Sequence, residues 1–262
     1  MKRIYARVVL GALRPGRPKE LPERDLTRTV EVDRDHLAEY DRVCGFRLRD
    51  ELPATYPHVL AFPLAMELMA GSDFPFSPLG IVHIGNRIEQ RRPLRADEPL
   101  DLRVWAADLA PHDRGTQFVL HAEATAGGEV VWRDASTYLH REQKGGSSPR
   151  DDAEPPSASA FWALPGDLGR RYARVSGDAN PIHMRKLAAK AFGQPTTIAH
   201  GMWTKARCLA ALEGELPAAY TADVRFKLPL RIPGRAAFSY RDGEFTVHDA
   251  RSGKPHLSGR VS

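Results

Sequence analysis

Cysteine is almost absent from this 262-residue chain: Cys44 and Cys208 are the only two, far apart in the sequence. That excludes a disulfide scaffold or a zinc ribbon, and it suits a reducing, cytoplasmic setting. Long apolar runs are missing too. The longest, around Leu60–Ala70, is interrupted by Glu67, and a membrane span needs ~20 predominantly apolar residues. The basic start Met1-Lys2-Arg3 is followed by no apolar core before Pro15, so no secretory signal is expected. Lysine is scarce as well, with eight among 38 basic residues and 30 arginines making up the rest. A net charge of +5 and an isoelectric point near 9.3 invite a nucleic-acid reading. The arginines are scattered, however, as a compositional bias scatters them and a phosphate-tracking patch does not. What remains is a folded composition, 42% hydrophobic and 27% charged, with room for two domains of ~100–150 residues.

The clearest boundary is residues 142–158, rich in Gly, Ser, Pro and charge and without apolar periodicity. It reads as an exposed linker between residues 1–141 and 159–262. The two halves echo each other. Tyr40-Asp41-Arg42-Val43-Cys44-Gly45 matches Tyr172-Ala173-Arg174-Val175-Ser176-Gly177, Leu60-Ala61-Phe62-Pro63 lies on Ile198-Ala199-His200-Gly201, and Pro93-Leu94-Arg95 on Pro229-Leu230-Arg231. Three matches in one order at nearly one offset argue for a duplicated domain, with about six extra residues in the second copy.

Periodicity supports the duplication. In the first half a helix is expected over Val59–Ala70, then strands over Gly80–Gln90, Leu100–Ala107, Gln117–Ala126 and Val130–Leu139, with a turn at Gly127-Gly128. In the second, helices are expected over Leu187–Phe192 and Met202–Leu212. Strands follow over Ala222–Leu230, Arg235–Tyr240, Glu244–Asp249 and His256–Val261. Helix first and antiparallel strands after is the order of an α+β domain with one helix covering a sheet.

Polar residues with chemical potential concentrate in Ser176-Gly177-Asp178-Ala179-Asn180-Pro181-Ile182-His183 and in Ile198-Ala199-His200-Gly201-Met202. Pro181 biases Asn180 away from helical geometry, so the segment from Asp178 to His183 is not a plain helix and its carboxylate and imidazole are free to converge. Such a pair suits addition or removal of water: a neutral histidine takes a proton and the acid positions the water or returns a proton to carbon. Backbone N–H groups at a helix start near Gly201 suit the negative charge that develops on a thioester oxygen. The same residues also read as turn and cap residues, or as three metal ligands, Asp178, His183 and His200; spacing alone does not choose.

The stretch Tyr172–Met202, Tyr-Ala-Arg-Val-Ser-Gly-Asp-Ala-Asn-Pro-Ile-His followed by Ala-Phe-Gly and Ile-Ala-His-Gly-Met, resembles the hydratase-2 motif of MaoC-like dehydratases. The likeness implies a double hot-dog fold of class α+β, each half an antiparallel sheet wrapped around a central helix. It implies Asp178 and His183 as the catalytic pair, the Gly201 amide as oxyanion donor, and Asn180, Ser176 and His200 as support. It also implies reversible hydration of trans-2-enoyl thioesters to (R)-3-hydroxyacyl thioesters in fatty-acid metabolism, on coenzyme A or an acyl carrier protein, without metal or organic cofactor. The family often places an acidic residue where this chain has Arg185, a departure expected to alter the surface near the substrate entrance.

The first half has Cys44, Gly45, Phe46 and Phe62-Pro63 where the second has the motif, so one active site per chain is expected. Leu60, Phe62, Leu64 and Leu68 are candidates to line an acyl tunnel there, and Arg225 and Lys227 to meet carrier phosphates. A homodimer fits the fold, and no nucleic acid or membrane insertion is expected. The rival readings are a hot-dog acyl thioesterase and a non-catalytic acyl-thioester-binding subunit.

Overall fold

The computed structural model describes residues 16–78, 80–142 and 155–262. In the first half the elements are β1 (Leu26–Val30), α1 (Arg34–Cys44), α2 (Tyr56–Met69), β2 (Ile81–Gln90), β3 (Leu100–His112), β4 (Gly115–Ala126) and β5 (Glu129–Arg141). The second runs β6 (Ala160–Leu164), α3 (Leu168–Ser176), α4 (Pro181–Met184), α5 (Lys186–Ala191), α6 (Gly201–Ala211), β7 (Tyr220–Phe226), β8 (Gly234–Arg241), β9 (Glu244–Asp249) and β10 (Pro255–Val261). Most of the linker, residues 143–154, lies outside the described residues.

All ten strands form one antiparallel sheet in the order β1-β3-β4-β5-β2-β7-β10-β9-β8-β6. Each half, read in its own strand order, has the same 1-3-4-5-2 arrangement, and β2 joins β7 at the centre, where Arg87 faces Asp223. This repetition of topology is the structural form of the sequence echo. α2 crosses β1, β3 and β4 and is apolar over most of its surface, Val59, Phe62, Leu64, Met66, Leu68 and Met69 all being buried, as a helix largely enclosed by a curled sheet requires. Its one exposed residue, Glu67, pairs with Arg28 of β1 at 3.8 Å.

The first match, Tyr40–Gly45 on Tyr172–Gly177, corresponds to two helices that the strand-centred reading left out, α1 and α3. Each buries residues at helical spacing and ends on a left-handed glycine, Gly45 at φ 84° and Gly177 at φ 72°. The Tyr40 and Tyr172 rings meet 6.4 Å apart across the pair. The short strands β1 and β6, at the two sheet edges, carry too few residues to show a period and were not expected either.

The second match is corrected. Leu52 N–H donates to Leu94 O just as Ala199 N–H donates to Leu230 O, each at 2.8 Å, beside the bridges Glu51–Arg95 and Ile198–Arg231. Structurally, therefore, Pro53 and Ala54 stand where His200 and Gly201 do, and Phe62-Pro63 lies inside α2. Tyr40 to Leu52 spans 12 residues and Tyr172 to Ala199 spans 27, so the second copy's insertion is 15 residues, larger than the offsets suggest. It holds α4 and α5, and the first half has no counterpart to it.

Candidate active site

The insertion builds a polar loop on the end of α3. The left-handed Gly177 turns the chain out of the helix, and the Ser176 hydroxyl accepts a bond from Asp178 N–H at 3.2 Å. Asp178 Oδ1 accepts from Asn180 N–H at 3.1 Å. Asn180, held extended before Pro181, caps α4 by accepting from Ile182 N–H. One turn later comes His183. Its Nδ1 donates to the Ile198 carbonyl at 2.8 Å, which fixes the tautomer and leaves the Nε2 lone pair available.

His200 closes the site from the start of α6. Its Nε2 donates to the Asp178 carbonyl at 3.0 Å, and its ring stacks on His183 with centroids 3.7 Å apart. Burial pushes the His183 imidazole below its usual range, against the pull of Asp178 and the Ile198 bond. Burial, with His183 beside it, pushes His200 down to about 3. Both rings are therefore neutral at pH 7. One ligand atom each from Asp178, His183 and His200 lie within 4.8 Å of one another, close enough for one water molecule to bridge the carboxylate and an imidazole.

Gly201 opens α6, and no side chain caps that helix; its first-turn N–H groups have no intrahelical acceptor. A Cβ at Gly201 would meet the Phe226 ring at 3.0 Å, so a side chain would crowd the space over that amide. Ser176, Asp178, Asn180, His183, His200 and Gly201 all line one cavity of about 410 Å³. The six residues that the motif singles out are thus brought together.

The expected substrate-binding residues divide. Phe62 and Lys227 line the cavity, with Met66 and Met69 beside Phe62. Leu64 and Leu68 do not: the helical period turns them into the core between α2 and the sheet, where they are 3% and 0% exposed. Leu60 packs at the margin of that core, outside the cavity wall. Arg225 is corrected as well. It alternates with the buried Val224 on β7 and lies on the outer, exposed face with Asp223. Arg185 is exposed between α4 and α5.

Several residues of the site escaped the sequence reading. Gly169 on α3 lies against the catalytic loop, and a Cβ there would sit 1.9 Å from the His183 carbonyl oxygen. His58, His83, Tyr138 and Phe226 also line the cavity. The strand alternation of β2 and β5 was legible, but which face closes over a cavity was not.

The curled double sheet and the acid–base loop define a double hot-dog protein of the hydratase type. The MaoC like domain family model matches residues 157–251. The chain is 37% identical to 3-hydroxyacyl-thioester dehydratase X of Mycobacterium tuberculosis, over 97% of this chain and 95% of that one. A crystal structure of that organism's HtdX superposes with a TM-score of 0.83 at 36% identity, covering 91% of this chain and 99% of the other. A MaoC-like dehydratase from Phytophthora capsici shares the fold, with a TM-score of 0.73, 20% identity, and 92% and 95% of the two chains covered. The chain belongs to the MaoC-like dehydratase family.

Proposed function

We propose that this protein is a hydro-lyase that interconverts (R)-3-hydroxyacyl and trans-2-enoyl thioesters. The observation that carries the reading is the His183 tautomer: with Nδ1–H committed to Ile198, the Nε2 lone pair stands in the same cavity as the Asp178 carboxylate and the Gly201 amide. In hydration, His183 takes one proton from a water molecule held between it and Asp178. The water oxygen bonds to C3, and a proton reaches C2 from the same pair; dehydration reverses these steps. The charge that grows on the thioester oxygen meets the N–H groups at the start of α6.

Both proton transfers use side chains of this chain, so the reading needs no metal or organic cofactor. The acyl group lies along Phe62, Met66 and Met69 toward the first half, while the catalytic loop belongs to residues 159–262. Lys227 and Arg141, both on the cavity wall, suit the phosphates of coenzyme A or of a carrier protein's phosphopantetheine. The exposed edges of the sheet at β1 and β6 leave room for a homodimer. Among the described residues no helix is long and apolar enough to cross a membrane.

Hydration of crotonyl-CoA tests the reading. Asp178→Asn and His183→Ala should each lose ~10²–10⁴-fold in kcat/KM. Full activity in both would remove the mechanism, release of free thiol without hydration would mark a thioesterase, and binding without turnover would mark an accessory subunit.

A further inference from the structure

A second void lies beside the cavity, and three side chains stand between the two. The main cavity takes His58, Phe62, Met66 and Met69 from one face of α2, at helical spacing. The smaller void, about 20 Å³, takes Ala61 and Ala65 from the next face, with Val104, Leu120 and Ala122 of β3 and β4 opposite. His58, Phe62 and Tyr138 belong to both walls. Large side chains therefore line the cavity side of the helix, and alanines the void side. The void has room for one water-sized group, such as a methyl.

Asp134 and Ser136 also reach the void, but their polar atoms are already engaged. Asp134 accepts from His58 Nδ1 at 2.8 Å, from Asn86 Nδ2 at 2.9 Å and from the Ser136 hydroxyl at 2.8 Å. Ser136 Oγ accepts in turn from Asn86 Nδ2 at 2.9 Å. A buried water molecule needs two to four polar partners. With these groups spent on one another, the void suits an alkyl group better than water.

The three dividing side chains are not equally fixed. His58 is tied to Asp134, and the Tyr138 ring stacks on His83 at 4.5 Å and on Phe118 at 5.6 Å. Phe62 has no polar atom to tie and is held by packing in the core. The partition also stands away from the chemistry. Phe226 lies under Gly201, meets His83 edge-on at 4.9 Å, and His83 leads on to Tyr138. An acyl chain that leaves the thioester along these rings runs up against Phe62. We propose that Phe62 selects acyl-chain length: its ring is the end wall for the alkyl tail, and the void behind it is an extension that the ring keeps closed. Straight-chain acyl thioesters up to a fixed length then fit, and longer ones must displace the ring. This deepens the hydro-lyase reading and rests on it for the direction in which the acyl chain lies.

Binding tests the end wall separately from turnover. Saturated acyl-CoAs, lengthened two carbons at a time from butyryl-CoA, would be titrated calorimetrically below their micelle-forming concentrations. Affinity should climb about fourfold per buried methylene and stop climbing at a limiting length. Phe62→Ala should move that limit out by two carbons or more, and the milder Phe62→Leu should move it the same way by less. Ala65→Val fills the void behind an intact Phe62. Alone it should leave the limit where it is, and combined with Phe62→Ala it should cancel the extension. An unchanged limit in folded Phe62→Ala or Phe62→Leu overturns the proposal. So does an affinity that climbs through the whole series in the unaltered protein, or an extension that survives Ala65→Val. Absence of hydration of trans-2-enoyl-CoAs of the accepted lengths, with the shift in limit intact, instead overturns the hydro-lyase reading and leaves the length selector standing.

Discussion

His183 and His200 lie face to face, 3.7 Å between ring centroids and 26° from parallel, and they are wired in opposite senses. His183 donates from Nδ1 to Ile198 and His200 donates from Nε2 to Asp178. Two positive rings at this separation in a buried site would repel strongly. The pair is therefore built to stay neutral, with His200 orienting the loop backbone while His183 alone presents Nε2 to the substrate.

The pH dependence of activity follows from that arrangement. A general base works in its neutral form, and burial places the His183 imidazole below its ordinary 6.5. The acid limb of kcat/KM for crotonyl-CoA hydration should accordingly lie below pH 6.5, with no loss of activity from protonation of this group near pH 7. A profile across about pH 5 to 8 decides it, and a limb above 6.5 would reassign the base.

Stability should show a related slope. His200 titrates at about 3 in the folded protein against an ordinary 6.5, so between those values the unfolded chain binds a proton that the folded one refuses. Its contribution is fully present above pH 6.5 and is lost as pH falls from there toward 3. Thermal melts of the protein and of His200→Phe should therefore converge as the pH is lowered through this window. Parallel Tm curves would mean that the ring is not held neutral.

The sequence shows the catalytic loop far better than its surroundings, and the reason is local. Asp178, Asn180, Pro181 and His183 act through turns, caps and a proline within a few residues of each other, so their spacing carries their geometry. The central helix over Val59–Ala70 and most strands were legible from period alone; Glu244–Asp249 agrees to the residue. Arg225 and Leu64 were misjudged because a period says which residues share a face, not which face meets the cavity. The partner of Ala199 was misplaced because Leu60-Ala61 resembles Ile198-Ala199 in letters, whereas the matching bonds to Leu94 and Leu230 are visible only in three dimensions.

Gly169 should behave as a positioning residue. A methyl group at its Cβ would sit 1.9 Å from the His183 carbonyl oxygen, so α3 and the catalytic loop must separate. Gly169→Ala is expected to lower kcat on crotonyl-CoA by ~10²-fold, the usual effect of an ångström of misplacement. The far-UV spectrum should be unchanged, and thermal stability lower by about 1–3 kcal/mol from overpacking. Wild-type kcat in a folded Gly169→Ala protein would show that the loop tolerates the shift.

Lys205 should matter more for joining the two halves than for chemistry. It is fully buried on α6, and its ammonium donates to Asn86 O at 3.2 Å, to Asn86 Oδ1 and to Ala222 O at 2.9 Å, spanning β2 of one half and β7 of the other. Burial pushes it down to about 7, with Asp134 and Asp223 opposing the shift, so three bonds rather than an exposed charge hold it in place. Lys205→Met keeps the volume and removes every donor, leaving buried oxygens without partners at the centre of the ten-stranded sheet. A loss on the order of 3 kcal/mol is expected, a fall in Tm of ~6–12 °C for a chain of this size. Residual kcat on crotonyl-CoA at a temperature where the variant is folded should stay within about tenfold of the parent, since Lys205 is not on the cavity wall. A stable variant with a far larger loss of kcat would instead place this buried amine in the chemistry.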